Sequence, residues 1–450
     1  MTPDQIADYL SSARWFAGKG RAFEVTAVTS LTLAPNVATH LVTVTFDSGE
    51  TDVYQLPLSS YAEPQERLAH AAVGWWDGLH HYDAVHDKDA MQVWLHAFAG
   101  KGTDALDPRV LFTRTGDHEL DLEAHSTLFS GEQSNSSLAF GEDALLKVFR
   151  RVEPGTNPDI EIHEVLTRAG NTHVAALYGH VTATLEDTGT FELALLQQFL
   201  RTASDGWELA LASVRNLVRE TDLQPEEAGG DFAAEAHRLG ANLAEVHAVL
   251  ADAFGTGPLD GVAVATAMQA RLDDAASIVP EIAAHADALA ARLATVATIE
   301  GQQAQRVHGD LHLGQTLRTS LGWKLVDFEG EPAKSLDERR LPDSGWRDLA
   351  GMIRSFDYAA STVVRDLGSD DGDAGEIAYR ADTWTAHTTA AFLAGYTEQR
   401  GAAMTDAEGA LLRAYTADKA IYEAVYETRN RPSWVEIPLA ALVGIAGGPA

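Results

Sequence analysis

Two carboxylates and an amide that could together move a phosphoryl group lie in one short stretch of the chain. Asp310 stands in His308-Gly-Asp-Leu-His-Leu-Gly-Gln315, and Asp327 in Val326-Asp-Phe-Glu-Gly-Glu331. Between them, Thr316 to Arg318 and Trp323 to Val326 have the composition of two short strands, joined by a turn at Ser320-Leu321-Gly322. Such a hairpin holds Asp310 and Gln315 near one end and carries Asp327 on the returning strand. One carboxylate can accept the proton of an attacking hydroxyl, while an amide oxygen and another carboxylate hold magnesium against the phosphates of a nucleotide. Magnesium is the expected ion because it takes oxygen ligands and phosphates. Glu329, two residues beyond Asp327, can face the same side of an extended segment and is a further candidate ligand. An alcohol is too weak an acid to ionise at neutral pH, so Asp310, the candidate base, contributes mainly by positioning.

A second set of residues suits the nucleotide. Ser130-Gly-Glu-Gln-Ser-Asn-Ser-Ser137 reads as a small polar loop between apolar strands, and Ser134, Asn135 and Ser136 would let backbone N–H groups come close to phosphates. Lys147 lies inside the apolar strand Ala144-Leu-Leu-Lys-Val-Phe149, where an unpaired ammonium is costly. Asn157-Pro158 then opens a helix, with Glu161 and Glu164 three apart and close enough to share one side. One of them is expected to pair with Lys147. The interval from Asp310 to Gln315 repeats the five-residue spacing between the catalytic Asp and metal-binding Asn of protein kinases, with Gln in place of Asn and Asp-Phe-Glu in place of Asp-Phe-Gly.

The stretches HGDLHLGQ, DFEGEP and Trp346-Arg-Asp-Leu-Ala-Gly-Met-Ile-Arg-Ser-Phe-Asp-Tyr358 resemble the actinobacterial maltokinase family, which includes maltokinases and the closely similar glucosamine kinases. The resemblance runs from Arg14-Trp-Phe-Ala-Gly-Lys19 to Glu427-Thr-Arg-Asn-Arg-Pro-Ser-Trp434. It implies an α+β, two-lobed protein-kinase-like fold of the aminoglycoside-phosphotransferase branch, with an N-terminal cap subdomain. The expected division is a cap over 1–90, a nucleotide-binding lobe over 91–200 and a mainly helical lobe over 201–450. The resemblance implies ATP and Mg2+ as cofactors and a sugar hydroxyl as acceptor. Glucosamine is preferred, with maltose as the alternative and an aminoglycoside behind both. It also selects Glu161, through the motif NPDIE, as the partner of Lys147. It makes Leu195-Leu-Gln-Gln-Phe-Leu200 the hinge, where Gln198 and Leu200 would meet the adenine edge. Arg306 and His308, just ahead of the base, are placed with Glu423, Tyr426, Glu427 and Trp434 as acceptor-binding residues.

Composition sets the surroundings of that chemistry. The 450 residues, 45% hydrophobic and 22% charged, can bury a large core. A formal net charge of −33, from 66 acidic against 33 basic side chains, would be repelled by nucleic acid and anionic membrane, so neither is an expected partner. The same charge favours a cationic acceptor over a neutral disaccharide. No cysteine is present, which excludes thiolate chemistry and fits a reducing cytoplasm. The expected working unit is a monomer binding ATP and a small sugar.

The elements that must position these residues are legible in outline. Residues 3–12 suggest a helix, Phe23 to Leu33, His40 to Phe46 and Thr51 to Leu56 strands, and Glu63 to Trp76 a helix. Trp15 and Phe16 read as buried packing residues. Leu177 to Leu185 and Phe191 to Phe199 follow as strands. Beyond residue 200 the period turns helical: Leu239, Leu243, Val246, Leu250 and Phe254 form one apolar face, with His247 beside it as a packed histidine. Residues 278–299 suggest another helix. Asp348 reads as half of a buried Arg–Asp pair. Asp418 to Asn430 is a helix whose Tyr422, Glu423, Tyr426 and Glu427 set aromatic rings beside carboxylates, as a sugar pocket does.

Overall fold

The computed structural model describes residues 2–129, 134–219, 232–331, 334–367 and 374–447. It divides into two compact units, one of residues 1–168 and 175–201, the other of 169–174 and 202–450.

The first unit opens with helix α1 (Pro3–Ser12), capped by the Thr2 side chain on Gln5 N–H, with Pro3 at the start and Ile6 and Leu10 buried one turn apart. Strands β1 (Phe23–Ala34), β2 (Val37–Phe46) and β3 (Thr51–Tyr61) form an antiparallel meander. The expected helix over Glu63 to Trp76 is corrected: Glu66–Ala71 is a short 3-10 turn, and Ala72–Trp76 is a strand, β4, paired with β5 (Leu79–Asp83). The reason lies in Asp77-Gly78, both with positive φ (52° and 77°), the two-residue turn whose twist suits a tight hairpin. Helix α2 (Lys88–Phe98) leads to a second sheet built from β6 (Val110–Arg114), β7 (Ser126–Leu128), β8 (Asn135–Phe140) and β9 (Ala144–Phe149). After the two-residue β10 (Arg151–Val152) and helix α3 (Pro158–Arg168), β11 (Leu177–Leu185) and β12 (Gly189–Gln198) complete it, in the order β6-β11-β12-β9-β8-β7.

Segment 1–90 has a core of its own around Ile6, Trp15 and Tyr54, and a second core joins it to 91–200, expected as a separate subdomain. This second core runs from Leu31 and Leu41 of the first sheet through Trp94 and Phe98 of α2 to Leu146 and Leu195 of the second. β10 pairs with β3 of the first sheet, and between the two sheets lies a buried ion pair. Arg150 Nη2 donates to Asp83 Oδ2 at 2.8 Å, both side chains about 1% exposed. Tyr9 donates to the same oxygen at 2.6 Å, and the guanidinium lies 4.5 Å over the Trp15 ring. Trp15 and Phe16 are buried, as packing residues would be.

The second unit is mainly helical. β13 (Thr202–Asp205) precedes α4 (Gly206–Arg219) and α5 (Phe232–Phe254), on which Leu239, Leu243, Val246 and Leu250 are buried. β14 (Gly257–Pro258) pairs with β15 (Gln303–Ala304). The helix expected over 278–299 is broken: α6 ends at Ile278 (Gly261–Ile278), because Pro280 cannot continue it. Short helices α7 (Pro280–Ala283) and α8 (Ala286–Ala294) and a 3-10 turn replace it. Next come the hairpin β16 (Thr316–Thr319) and β17 (Gly322–Leu325), the short α9 (Leu336–Arg339), and four longer helices. These are α10 (Trp346–Leu367), α11 (Ala374–Arg400), α12 (Asp406–Asn430) and α13 (Glu436–Gly447). α5 and α11 touch backbone to backbone: a Cβ on Gly395 would come within 1.9 Å of His237 O, so only glycine fits. No helix among the described residues is long and apolar enough to cross a membrane.

The Arg150–Asp83 pair yields a stability prediction. Removing one partner of a buried pair strands a charge, at a cost of about 3–5 kcal/mol. Arg150→Met and Asp83→Leu should each lower the unfolding free energy by that order, and the double change by less than their sum. Additive losses on a denaturation curve would mean the two groups act independently.

Candidate active site

The loop ahead of the hairpin is held by one buried carboxylate. Asp348, in the first turn of α10, accepts from His308 N–H at 2.7 Å and Gly309 N–H at 2.8 Å. His247 Nε2 lies 3.0 Å from the same carboxylate, and Tyr396 Oη 3.0 Å from His247 Nδ1. Burial alone would raise the Asp348 carboxyl, but His247 and the loop N–H groups outweigh it and hold it below the usual carboxylate range. The expected Arg–Asp pair is therefore corrected: Arg347 turns instead to Asp343 (2.8 Å) and Glu331 (2.6 Å), and Asp348 serves the backbone. His247 is the packed histidine anticipated, and its bond to Asp348 links α5 to the loop.

Gly309 takes a φ of +85°, which turns the chain so that two successive N–H groups face Asp348. Further along, Ser355 Oγ accepts from Leu313 N–H at 3.0 Å, and Thr316 Oγ1 donates to Leu313 O at 2.7 Å. The strands pair as expected, Thr316 opposite Leu325. Gln315 Nε2 then donates to Asp327 Oδ2 at 3.0 Å. An oxygen of Asp327 and one of Glu329 lie within 4.8 Å of each other. Asp327 has φ +66°, a left-handed backbone unusual for a residue with a side chain. The hairpin thus brings Gln315, Asp327 and Glu329 together as an oxygen-rich cluster.

Asp310 lines a cleft of about 510 Å³ together with Trp207, His312, Tyr358, Tyr422, Glu423, Tyr426, Glu427 and Trp434, among others. Of the proposed acceptor residues, Glu423, Tyr426, Glu427 and Trp434 share that cleft with Asp310. Arg306 and His308 do not line it and are corrected as acceptor contacts. Both are buried: Arg306 donates to Arg340 O at 2.8 Å, and the His308 Nε2 position lies 3.0 Å from Val326 O. The carboxylates of the cleft already have cationic partners. Arg354 Nη2 reaches Glu423 at 2.8 Å, and Arg431 Nη2 reaches Glu427 at 2.5 Å. Burial pushes the Glu423 carboxyl above its ordinary range despite Arg354 and Lys419. Trp434 is flanked by the guanidinium carbons of Arg365 at 3.9 Å and Arg431 at 4.8 Å.

Sequence reasoning missed Lys419. Its Nζ donates to Asp310 Oδ1 at 2.8 Å. Burial alone would raise the Asp310 carboxyl, but Lys419, with His312 and His308, overcomes it and keeps the group below the usual range. Lys419 sits on the same helix as the expected Tyr–Glu stripe, three residues before Tyr422, and that spacing is the one signal that could have found it.

In the first unit, Lys147 of β9 is buried opposite Ser137 and Leu195 in the sheet. The carboxylate set against it is Asp159, at 2.9 Å, where the sequence favoured Glu161 over Glu164. Asp159 shares its helix face with His163, four residues on and 3.1 Å away, whereas position 161 is about 200° round the helix. Glu164 pairs with Arg168 at 2.6 Å. Burial would raise the Asp159 carboxyl, yet Lys147 and His163 hold it far below its usual range. Of the expected phosphate loop, residues 130–133 lie outside the described residues, and Ser134 is exposed. Asn135 and Ser136 belong to β8 rather than to a loop, and Ser136 Oγ accepts from Arg150 Nε at 2.8 Å. Gln198 closes β12 with its N–H already bonded to Ala176 O at 2.8 Å; Leu200 follows, half-buried.

Asp348→Ala should cost about 2–4 kcal/mol, since it leaves buried backbone N–H groups without an acceptor. Turnover should fall with it, because the loop carrying Asp310 loses its anchor. A variant with wild-type denaturation and wild-type turnover would show that the loop holds itself.

Residues 9–87 match the model of the maltokinase N-terminal cap domain. Over 330 residues the chain is 31% identical to a glucosamine kinase of Streptacidiphilus jiangxiensis, covering 70% of this chain and 72% of the relative. It is 25% identical over 373 residues to a glucosamine kinase of Mycolicibacterium smegmatis, covering 79% and 90%. A solved glucosamine kinase in complex with glucosamine, ADP and inorganic phosphate superimposes with a TM-score of 0.69 at 24% identity, over 99% of this chain and 100% of that one. That likeness places the two chains in one fold, and the identity to the Streptacidiphilus enzyme, over so much of both chains, places this one in the maltokinase-like family of glucosamine kinases.

Proposed function

We propose that the chain transfers the γ-phosphoryl group of ATP to a hydroxyl of glucosamine. The observation that carries the acceptor is the cleft at Asp310, where the carboxylates of Glu423 and Glu427 lie among the rings of Tyr422, Tyr426 and Trp434. Rings can cover the C–H face of a sugar, and a carboxylate can bind an ammonium with a charge-assisted hydrogen bond. The glucosamine kinases that the chain is similar to support the same acceptor.

Asp310, ionised because Lys419 opposes the effect of burial, accepts the hydroxyl proton as the oxygen forms its bond to the γ-phosphorus and the bond to the ADP oxygen breaks. Gln315 Oε1 and the Asp327 carboxylate, with Glu329 beside them, are the oxygen donors suited to Mg2+. Magnesium, when bound, neutralises charge on the phosphates. Lys147, fixed by Asp159, supplies the cation for the nucleotide phosphates. Maltose is the second reading, favoured by the match to the maltokinase cap domain and by the aromatic rings that line the cleft.

ADP release measured across glucosamine, N-acetylglucosamine, glucose and maltose should show efficient turnover of glucosamine alone. Acetylation removes the ammonium and adds bulk beside a carboxylate, so N-acetylglucosamine should be poor. Rapid turnover of maltose with glucosamine inert would replace the acceptor and leave the transfer chemistry standing. Asp310→Asn should lower turnover about 100-fold or more while nucleotide binding persists. Asp327→Ala should abolish Mg-dependent nucleotide binding by calorimetry, and normal binding would remove Asp327 from the metal site.

A further inference from the structure

Lys419 is a half-buried cation whose contact with Asp310 also fixes which carboxylate oxygen is left open. It reaches Asp310 from α12, 109 residues along the chain. Its ammonium is also 5.0 Å from the Tyr422 ring centroid, so its position is fixed from two sides. The other charges around the pair have partners of their own. Arg271 holds Asp418 through two bonds, at 2.8 and 2.6 Å, from α6. Arg347 of α10 holds Glu331 and Asp343, and Arg354 holds Glu423. His312 and His308 face Asp310 from its own loop, and the Tyr415 hydroxyl donates to Asp343 at 2.5 Å. Lys419 and Asp310 are thus left as each other's counterions. The lysine takes Oδ1 only; among the described residues no hydrogen bond reaches Oδ2.

We propose that Lys419 is a positioning residue for the transfer: by occupying Oδ1 of Asp310 it fixes the carboxylate and leaves Oδ2 as the atom that takes the acceptor's proton. This rests on the reading of Asp310 as the base. A carboxylate with both oxygens unbound rotates and presents either one. A carboxylate pinned through one oxygen presents the other in a single direction, and small misplacements of a reacting group are costly to rate. The ammonium also favours the ionised, proton-accepting form, in the direction already noted for Asp310.

The test is Lys419→Met beside Lys419→Arg. Lys419→Met should lower kcat about 10-fold or more with the KM for sugar within about 2-fold, and Lys419→Arg should recover most of the loss. Because the ammonium lowers the Asp310 pKa, its removal should move the acid limb of the kcat–pH profile to higher pH. The same shift should appear, without substrate, in the 13C titration of the Asp310 carboxyl, assigned with Asp310→Asn. An acid limb and a carboxyl titration that stay in place, or a loss that arginine does not restore, would overturn the proposal. Should Lys419→Met fail to fold, Lys419→Gln carries the same comparison. The carboxyl titration needs no turnover, so wild-type protein inert towards every sugar would sink the kinase reading separately.

Discussion

A buried carboxylate is unstable unless it is surrounded by donors, and Asp348 meets that demand with groups that matter elsewhere. Its partners are His247 on α5 and the N–H groups of His308 and Gly309, so desolvating one charge ties two helices to the loop that presents Asp310. Its place in the first turn of α10 adds the favourable end of the helix dipole. The arrangement is one-directional: without the carboxylate, the loop N–H groups have no acceptor, and without Gly309's positive φ they could not both reach it. Asp310 is aimed into the cleft by a residue that does not line it.

The strongly acidic composition says little about the cleft, because local pairing decides its charge. Asp310 is opposed by Lys419, Glu423 by Arg354 and Glu427 by Arg431. A cationic sugar therefore does not meet three free carboxylates. It meets carboxylates that already have one cation each and retain oxygen lone pairs for more, since each carboxylate can accept about four hydrogen bonds. Selectivity for an ammonium then depends on how those remaining positions are directed. The net charge of −33 acts only on encounter, and salt screens it beyond about 8 Å at physiological strength.

What could be read from the sequence was what is local. Asp310, Gln315 and Asp327 lie on one hairpin and the loop that leads into it, whose register follows from two short strands and a turn, and the cleft residues of α12 follow from helical spacing. Partners distant in sequence were not legible. Asp348 and the loop it holds are 40 residues apart, and Lys419 and Asp310 are 109 apart. Nothing in a run such as Trp-Arg-Asp-Leu distinguishes a carboxylate facing its neighbour Arg347 from one facing a backbone loop. The motif NPDIE points to Glu161, whereas the i,i+4 pair Asp159 and His163 marks the helix face that meets Lys147. The strand β4 was missed for a different reason: helical composition over Glu63 to Ala71 outweighed Asp77-Gly78, the two residues that decide the turn.

Asp327 shows why the register of the hairpin matters. A non-glycine residue at φ +66° is held there against its own preference, and such a conformation persists only when the surroundings over-determine it. Here β16 and β17 supply the constraint, with Val326 N–H bonded to Gln315 O at 3.1 Å just before the strained residue. Those contacts return the chain beside Gln315, and the turn at Asp327 then faces its carboxylate to the Gln315 amide at 3.0 Å. An extra residue on one strand would shift the register and carry Asp327 past the amide, and an unstrained backbone would point its side chain elsewhere. The strain is thus the local cost of placing the Gln315 amide and the Asp327 carboxylate side by side at the open end of the hairpin.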